Sequence, residues 1–202
     1  MLNRKHVPIP AQMKNLKVDV RGFPIPFVVL IDKLGQPHFK VNDERKSREC
    51  IEKKLCHVCG EKLNKDYWFV GGQVSAFHPQ GFFVDGPAHK VCALYALKVC
   101  PYLAYTQYKA EEPMENIEKL TKKLAGITDI GGLHNPTQSS KRLPFFVLAQ
   151  AKRYGVKASI TGSLFKPDKP YQQIEYWKDG DQILQNEAKL ILQKQNDLCY
   201  LP

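Results

Sequence analysis

Apolar residues change their spacing several times along the 202 residues, and each change marks an expected element. The first 26 residues carry Pro8, Pro10, Pro24 and Pro26 among scattered apolar side chains, which predicts an extended arm packed on something rather than a helix. Phe27 to Asp32 is a β-branched apolar run. Leu34-Gly35-Gln36-Pro37 supplies turn residues and His38 to Val41 returns, a candidate hairpin. Asp43 then caps a polar helix reaching about Leu55, with Ile51 and Leu55 four apart on one face. Tyr67 to Val70 and Gln73 to Phe77 read as strands around Gly71-Gly72, and Phe82 to Val84 as a third short strand. Asp85-Gly86-Pro87 signals a helix start, and that helix runs through Leu94, Tyr95 and Leu97 to the Cys100-Pro101 stop.

Farther on, Met114, Ile117, Leu120 and Leu124 give Pro113 to Ala125 an amphipathic face, with Glu115/Lys119 and Glu118/Lys122 at i,i+4 and Gly126 as the stop. Residues 127–143 hold the breakers of a loop. Phe145 to Ala149, Ala158 to Thr161 and, most firmly, Gln173 to Trp177 are strand candidates. Asp179-Gly180-Asp181 is read as the entry to a last helix through Gln195, with Ile183, Leu184, Ala188, Ile191 and Leu192 on its buried face. The expected architecture is α+β, in three parts. Residues 1–54 form the arm, hairpin and basic helix, residues 55–103 a metal-binding module, and residues 104–202 a small C-terminal α+β unit.

Composition adds that 43% hydrophobic content is enough for a real core, and no apolar run approaches the ~20 residues of a membrane span. The start lacks a signal-peptide apolar stretch, so a cytoplasmic protein with no membrane partner is expected. There the six cysteines stay reduced, which favours a metal site over disulfides. Leu55-Cys-His-Val-Cys-Gly60 and His89-Lys-Val-Cys92 are two close-set pairs of soft ligands. Four Cys/His ligands, Cys56, Cys59, His89 and Cys92, satisfy the tetrahedral preference of structural Zn2+. Gly60 lets the backbone turn so that amide hydrogens face the sulfurs. An iron–sulfur cluster on Cys56, Cys59, Cys92 and Cys100 is the alternative, and Cys100 is also the substitute if His89 is not a ligand. Cys50 and Cys199 lack paired spacing and read as inert buried thiols.

The net charge of +10 is unevenly spread. Basic residues outnumber acidic ones two to one in residues 1–54, the module 55–103 is nearly neutral, and residues 130–167 contain basic but no acidic side chains. Such blocks suit phosphate binding, with Arg45, Lys46, Arg48, Lys53 and Lys54 on the first helix and Lys141, Arg142, Lys152, Arg153 and Lys157 later as candidates. A solvated surface that only aids solubility is the bland alternative. Tyr102, Tyr105, Tyr108 and Tyr154 stand near basic residues and are stacking candidates, although core packing is the commoner fate of aromatics.

Knuckle, hairpin and ligand-bearing helix is the order of treble-clef zinc modules, and residues 55–100 resemble one. Val7-Pro-Ile-Pro through Phe-Pro-Ile-Pro-Phe27, the Leu55 to Gly60 string, Pro87-Ala-His-Lys-Val-Cys-Ala93 and Val99-Cys-Pro-Tyr-Leu103 resemble a family of small uncharacterised bacterial and phage proteins. That resemblance implies a phage or mobile-element origin and carries no activity. Catalytic motifs are missing: no phosphate loop, no Gly-x-Ser-x-Gly elbow, no His-Glu-x-x-His helix. Because some treble-clef proteins are HNH nucleases, His57, His78 and His134 are weighed as general bases; the cysteine-filled metal corners favour a structural role. The expectation is therefore a zinc-stabilised binding protein with nucleic acid as partner. The alternatives are a factor that binds a host protein complex and, last, a metal-dependent nuclease.

Overall fold

The structure is a computed structural model and describes residues 7–104, 143–159 and 162–194. The expected helix 113–125, nearly all of the expected loop, Lys141, Arg142, Tyr105, Tyr108, His134 and Cys199 lie outside the described residues.

The arm contains one 3-10 turn, Ala11–Met13, which buries Met13. β1 (Val29–Ile31) and β2 (Pro37–Asn42) form the expected antiparallel hairpin. Asp32 organises its turn: Oδ1 accepts from the amides of Leu34 and Gln36 at 2.9 Å each, and Oδ2 lies 3.0 Å from His38 Nε2. Gly35 supplies the left-handed backbone there, with φ +79°. α1 (Glu44–Lys53) starts where Asp43 accepts the Arg45 amide at 3.1 Å and stops at Lys54, whose φ is 56°. Its buried face is Glu44, Ser47 and Cys50; Ile51 is half-buried and Leu55 lies beyond the helix.

β3 (Tyr67–Gly71), β4 (Phe146–Ala151), β7 (Gln173–Lys178) and β8 (Asp181–Ile183) form an antiparallel sheet in the order β3-β4-β7-β8. The pairing Phe69↔Ala149 joins the metal-site half of the chain to the C-terminal half. β4 lies between two strands and is buried along its length, which accounts for its nearly unbroken apolar sequence. β5 (Tyr154–Ser159) and β6 (Gly162–Pro167) make a separate hairpin, extended by a single bridge from Phe83 to Phe165. One apolar core runs from Cys56, Cys59 and Cys92 through Phe69, Phe83 and Phe165 to Ala188 and Leu192. α3 (Lys90–Val99) packs on β3, and α5 (Gln185–Lys194) on β7. The short α4 (Pro101–Ala104) follows α3 directly. No helix among the described residues is long and apolar enough to cross a membrane.

Four expectations are corrected. Gln73–Phe77 is a helix, α2, instead of a strand. Over five residues the apolar spacing does not separate the two, and packing on β4 with Ala76 fully buried decides for helix. Around Phe82 to Val84 only Phe83 pairs, exchanging two 2.8 Å hydrogen bonds with Phe165. Of the strand expected at Ala158 to Thr161, Ala158 and Ser159 are strand, Ile160 and Thr161 lie outside the described residues, and the start moves back to Tyr154, in a hairpin with Gly162–Pro167 whose exposed side is basic and glycine-containing. Asp179-Gly180 is the two-residue loop between β7 and β8, both residues having positive φ (52° and 83°), as an Asp-Gly hairpin turn requires. Ile183 therefore belongs to β8 and Leu184 is exposed, while Ala188 and Leu192 are buried on α5 as expected.

Candidate metal centre and basic surface

The Cys56–Gly60 turn is built by local hydrogen bonds and clamped from both sides. Gly60 donates to Cys56 O and Cys56 to Glu61 O, both at 2.8 Å, and Leu55 bridges Lys62. Gly60 has φ +78°, and a Cβ there would stand 2.7 Å from the Phe27 ring, so both backbone conformation and space require glycine. The chain before β1 holds one side, with Phe27 N donating to Val58 O at 2.8 Å; Pro87 O holds the other by accepting from His57 N at 3.0 Å.

His89 is the N-cap of α3 and Cys92 lies in its first turn, so the helix begins later than Asp85-Gly86-Pro87 suggests. Cys56, Cys59, His89 and Cys92 converge with all four ligand atoms within 4.8 Å of one another. Three are buried and His89 is partly so. His89 Nδ1 lies 3.3 Å from Cys59 Sγ and 4.0 Å from Cys92 Sγ. Nitrogen and sulfur ligands on one tetrahedral zinc stand roughly 3.6 Å apart, between those two values. His89 Nε2 faces Lys62 O at 3.1 Å; donation there fixes the proton on Nε2 and leaves the Nδ1 lone pair for a cation. The amides of Cys59 and His89 both reach Cys56 Sγ at 3.4 Å, which favours a thiolate. Hydrogen bonds from the Cys59 and Cys92 thiols reinforce that and pull the Cys56 thiol down, while holding those protons pushes Cys59 up to about 11 and Cys92 up as well. The donor set fits a tightly held metal ion whose four positions are all filled by protein.

Cys100 caps the other end of α3, roughly 12 Å along the helix from Cys92, and is not part of the cluster. Cys50 is on the buried face of α1, and burial pushes its thiol up to about 12. His57, between two ligands in sequence, is buried against Phe165, with ring centroids 5.0 Å apart. Its Nδ1 accepts from Gly86 N at 3.3 Å, and burial lowers it to about 4, so the ring is a neutral packing element. His78 caps α2 and accepts the Gln80 amide at 3.0 Å.

The basic candidates divide by environment. Lys46 turns inward, its Nζ 3.3 Å from Val29 O and 5.5 Å from the Phe27 ring centre, and burial lowers its pKa. Arg45 pairs with Asp43 at 3.0 Å, Lys53 with Glu49 at 2.7 Å, and Arg153 with Asp168 at 3.0 Å; the basic side chain of each pair points to solvent. Lys54 closes α1 and, like Lys152, is exposed. Arg48 Nε lies 3.8 Å from Glu44 Oε1, and that same oxygen accepts from Ser163 Oγ of β6 at 2.8 Å. This contact sets α1 against the β5–β6 hairpin, while Lys157, opposite Leu164 in register, faces the other side of that hairpin from Ser163. Among the aromatic candidates, Tyr154 packs internally, 5.0 Å from Tyr67 and 5.6 Å from Phe69, and Tyr102 sits 5.8 Å from Phe146. Phe82, partly exposed between Lys157 and Lys166, was not singled out by spacing; its contacts come from the long-range Phe83–Phe165 bridge.

No family model matches the chain, and no match is found among the curated proteins or the solved structures. What fold and site define is an α+β protein carrying a Cys3His cluster able to hold a metal ion.

Proposed function

We propose that the protein is a zinc-stabilised nucleic-acid-binding protein. Four protein ligands and no open corner suit zinc in a structural role, the softness of three sulfurs favouring it over oxygen-preferring cations. The unit is treble-clef-like: a knuckle at Cys56–Gly60, β3 paired with the chain at Ala88 through the Trp68–Ala88 bridge, then α3 bearing Cys92. α2 is inserted between the two arms of that short hairpin.

The observation that supports nucleic acid as partner is the shared carboxylate oxygen of Glu44. It ties the basic helix α1 to the hairpin of the second basic block, so Arg48 and Lys157 stand on adjoining elements although the sequence separates them widely. A strand of nucleic acid that runs across both elements would meet cations of each, and neutralising its phosphates releases counterions. About four phosphate contacts would weaken binding roughly 50- to 150-fold between about 50 and 200 mM salt. Fluorescence anisotropy of the zinc-loaded protein with labelled single- and double-stranded DNA and RNA, at both salt concentrations, tests this. Tight, steeply salt-dependent binding is expected. Absence of binding to every probe at low salt contradicts the proposal and directs the search to a protein partner.

A further inference from the structure

We propose that the face of the β5–β6 hairpin around Phe82 is a single-stranded nucleic-acid subsite, in which Phe82 stacks on an unpaired base and Lys157, Lys166 and Lys169 hold the adjoining phosphates. The Phe83–Phe165 bridge makes residues 82–84 a partial third strand beside β6. Side chains alternate across such a layer. Phe83 and Phe165 point into the core at 1% exposure each, and Phe82 and Lys166 point the other way. Lys157 and Lys166 hold their Nζ atoms over the Phe82 ring, 5.8 and 5.5 Å from its centre, where a stacking base displaces these flexible heads toward its own phosphates. Gly155, opposite Lys166 in register, keeps the surface between them open: a Cβ there would meet nothing within 4 Å. A groove of about 310 Å³ begins at this point, lined in part by Gly155, Lys166 and Lys169.

Cations outnumber acidic groups on this face. Lys169 Nζ is steered by His78 O at 3.1 Å, and its pKa is lowered mainly by burial and further by the neighbouring Lys166 charge. Asp168, the acidic residue of the groove, is engaged by Arg153. Among the described residues no carboxylate lies within ion-pair distance of Lys157, Lys166 or Lys169. An aromatic ring flanked by unpaired lysines offers a base a face and its phosphates a countercharge; a duplex hides the base faces and leaves the ring without a role.

The inference rests on the nucleic-acid reading and is separable from it. The test measures anisotropy of labelled oligo-dT and oligo-U of about 12 nucleotides, and of a duplex of equal length, against wild type, Phe82→Leu, Lys166→Gln and, as control, Lys189→Gln on the exposed side of α5, which should bind as wild type. Loss of one stacked base predicts about 5- to 150-fold weaker single-strand binding for Phe82→Leu, with duplex binding unchanged. Lys166→Gln, exposed and safe for folding, is expected to flatten the single-strand salt slope by about 0.7. Wild-type single-strand affinity in both Phe82→Leu and Lys166→Gln, or a wild type that binds duplex alone, overturns the subsite and leaves the broader reading standing. A wild type that binds no probe overturns both.

Discussion

Replacing Gly86 with Ala tests how tightly the Pro87 segment clamps the knuckle. A Cβ at Gly86 would stand 2.6 Å from His57 Cδ2 and closer still to Nε2 and Cε1. The ring has no free direction in which to retreat: Phe165 lies edge-on against it at 5.0 Å, and the Gly86 amide holds Nδ1 at 3.3 Å. Relief therefore requires moving the loop, straining the 3.0 Å His57–Pro87 backbone bond as well. Overpacking costs about 1–3 kcal/mol and a weakened buried hydrogen bond about 1 kcal/mol more, so the variant should lose roughly 2–4 kcal/mol. For a chain of this size that lowers Tm by roughly 5–15 °C. Gly155→Ala, where a Cβ meets nothing within 4 Å, serves as control and should change stability by less than about 0.5 kcal/mol. A double-mutant cycle with His57→Ala sharpens the result, since removing the ring should erase most of the cost of Ala at 86. Thermal and urea melts of the zinc-loaded variants supply the assay. Wild-type melting of Gly86→Ala, or a cost that persists undiminished in the His57→Ala background, would refute the clamp.

Other parts of the fold make equally definite claims. Buried Glu175 accepts from Trp177 Nε1 at 3.2 Å and Gln173 Nε2 at 3.0 Å and pairs with Lys90 at 2.7 Å, so Glu175→Ala should destabilise the protein by about 2–4 kcal/mol in denaturant melts. Burial opposes ionisation of Asp43, but hydrogen bonds and charge from Arg45 outweigh it and hold the carboxyl below its usual value. Its contribution is thus present above the unfolded value of 3.8 and lost as pH falls through the lower folded one; Asp43→Ala should cost about 1 kcal/mol at neutral pH, and the gap should close in strong acid. Cys59→Ser should abolish metal retention and loosen the knuckle, whereas Cys100→Ser should leave metal content unchanged, as read by elemental analysis.

The metal ligands were legible because each pair is local in sequence, and soft side chains at such spacing have few other uses. Asp43 was legible as a cap for the same reason: its partner, the Arg45 amide, is two residues away. Short segments fared worse. Gln73–Phe77 carries no period long enough to separate helix from strand, and Asp179-Gly180 fits either a helix entry or a hairpin until β8 is seen beside β7. β5 and β6 were hardest to see, since they expose lysines and keep few side chains in the core. The basic surface was legible only as composition. That Lys46 turns inward, that Glu44 joins Ser163, and that Phe82 lies between two lysines depend on contacts across the whole chain, which no local pattern encodes.

Native mass spectrometry of the purified protein, side by side with Cys59→Ser, tests the central claim most directly. The account predicts one zinc ion per chain, lost on strong chelation together with the ordered structure around Cys56–Cys92, and absent from Cys59→Ser. A wild type that is fully folded with no bound metal, or one that carries iron and sulfide in place of zinc, would contradict it.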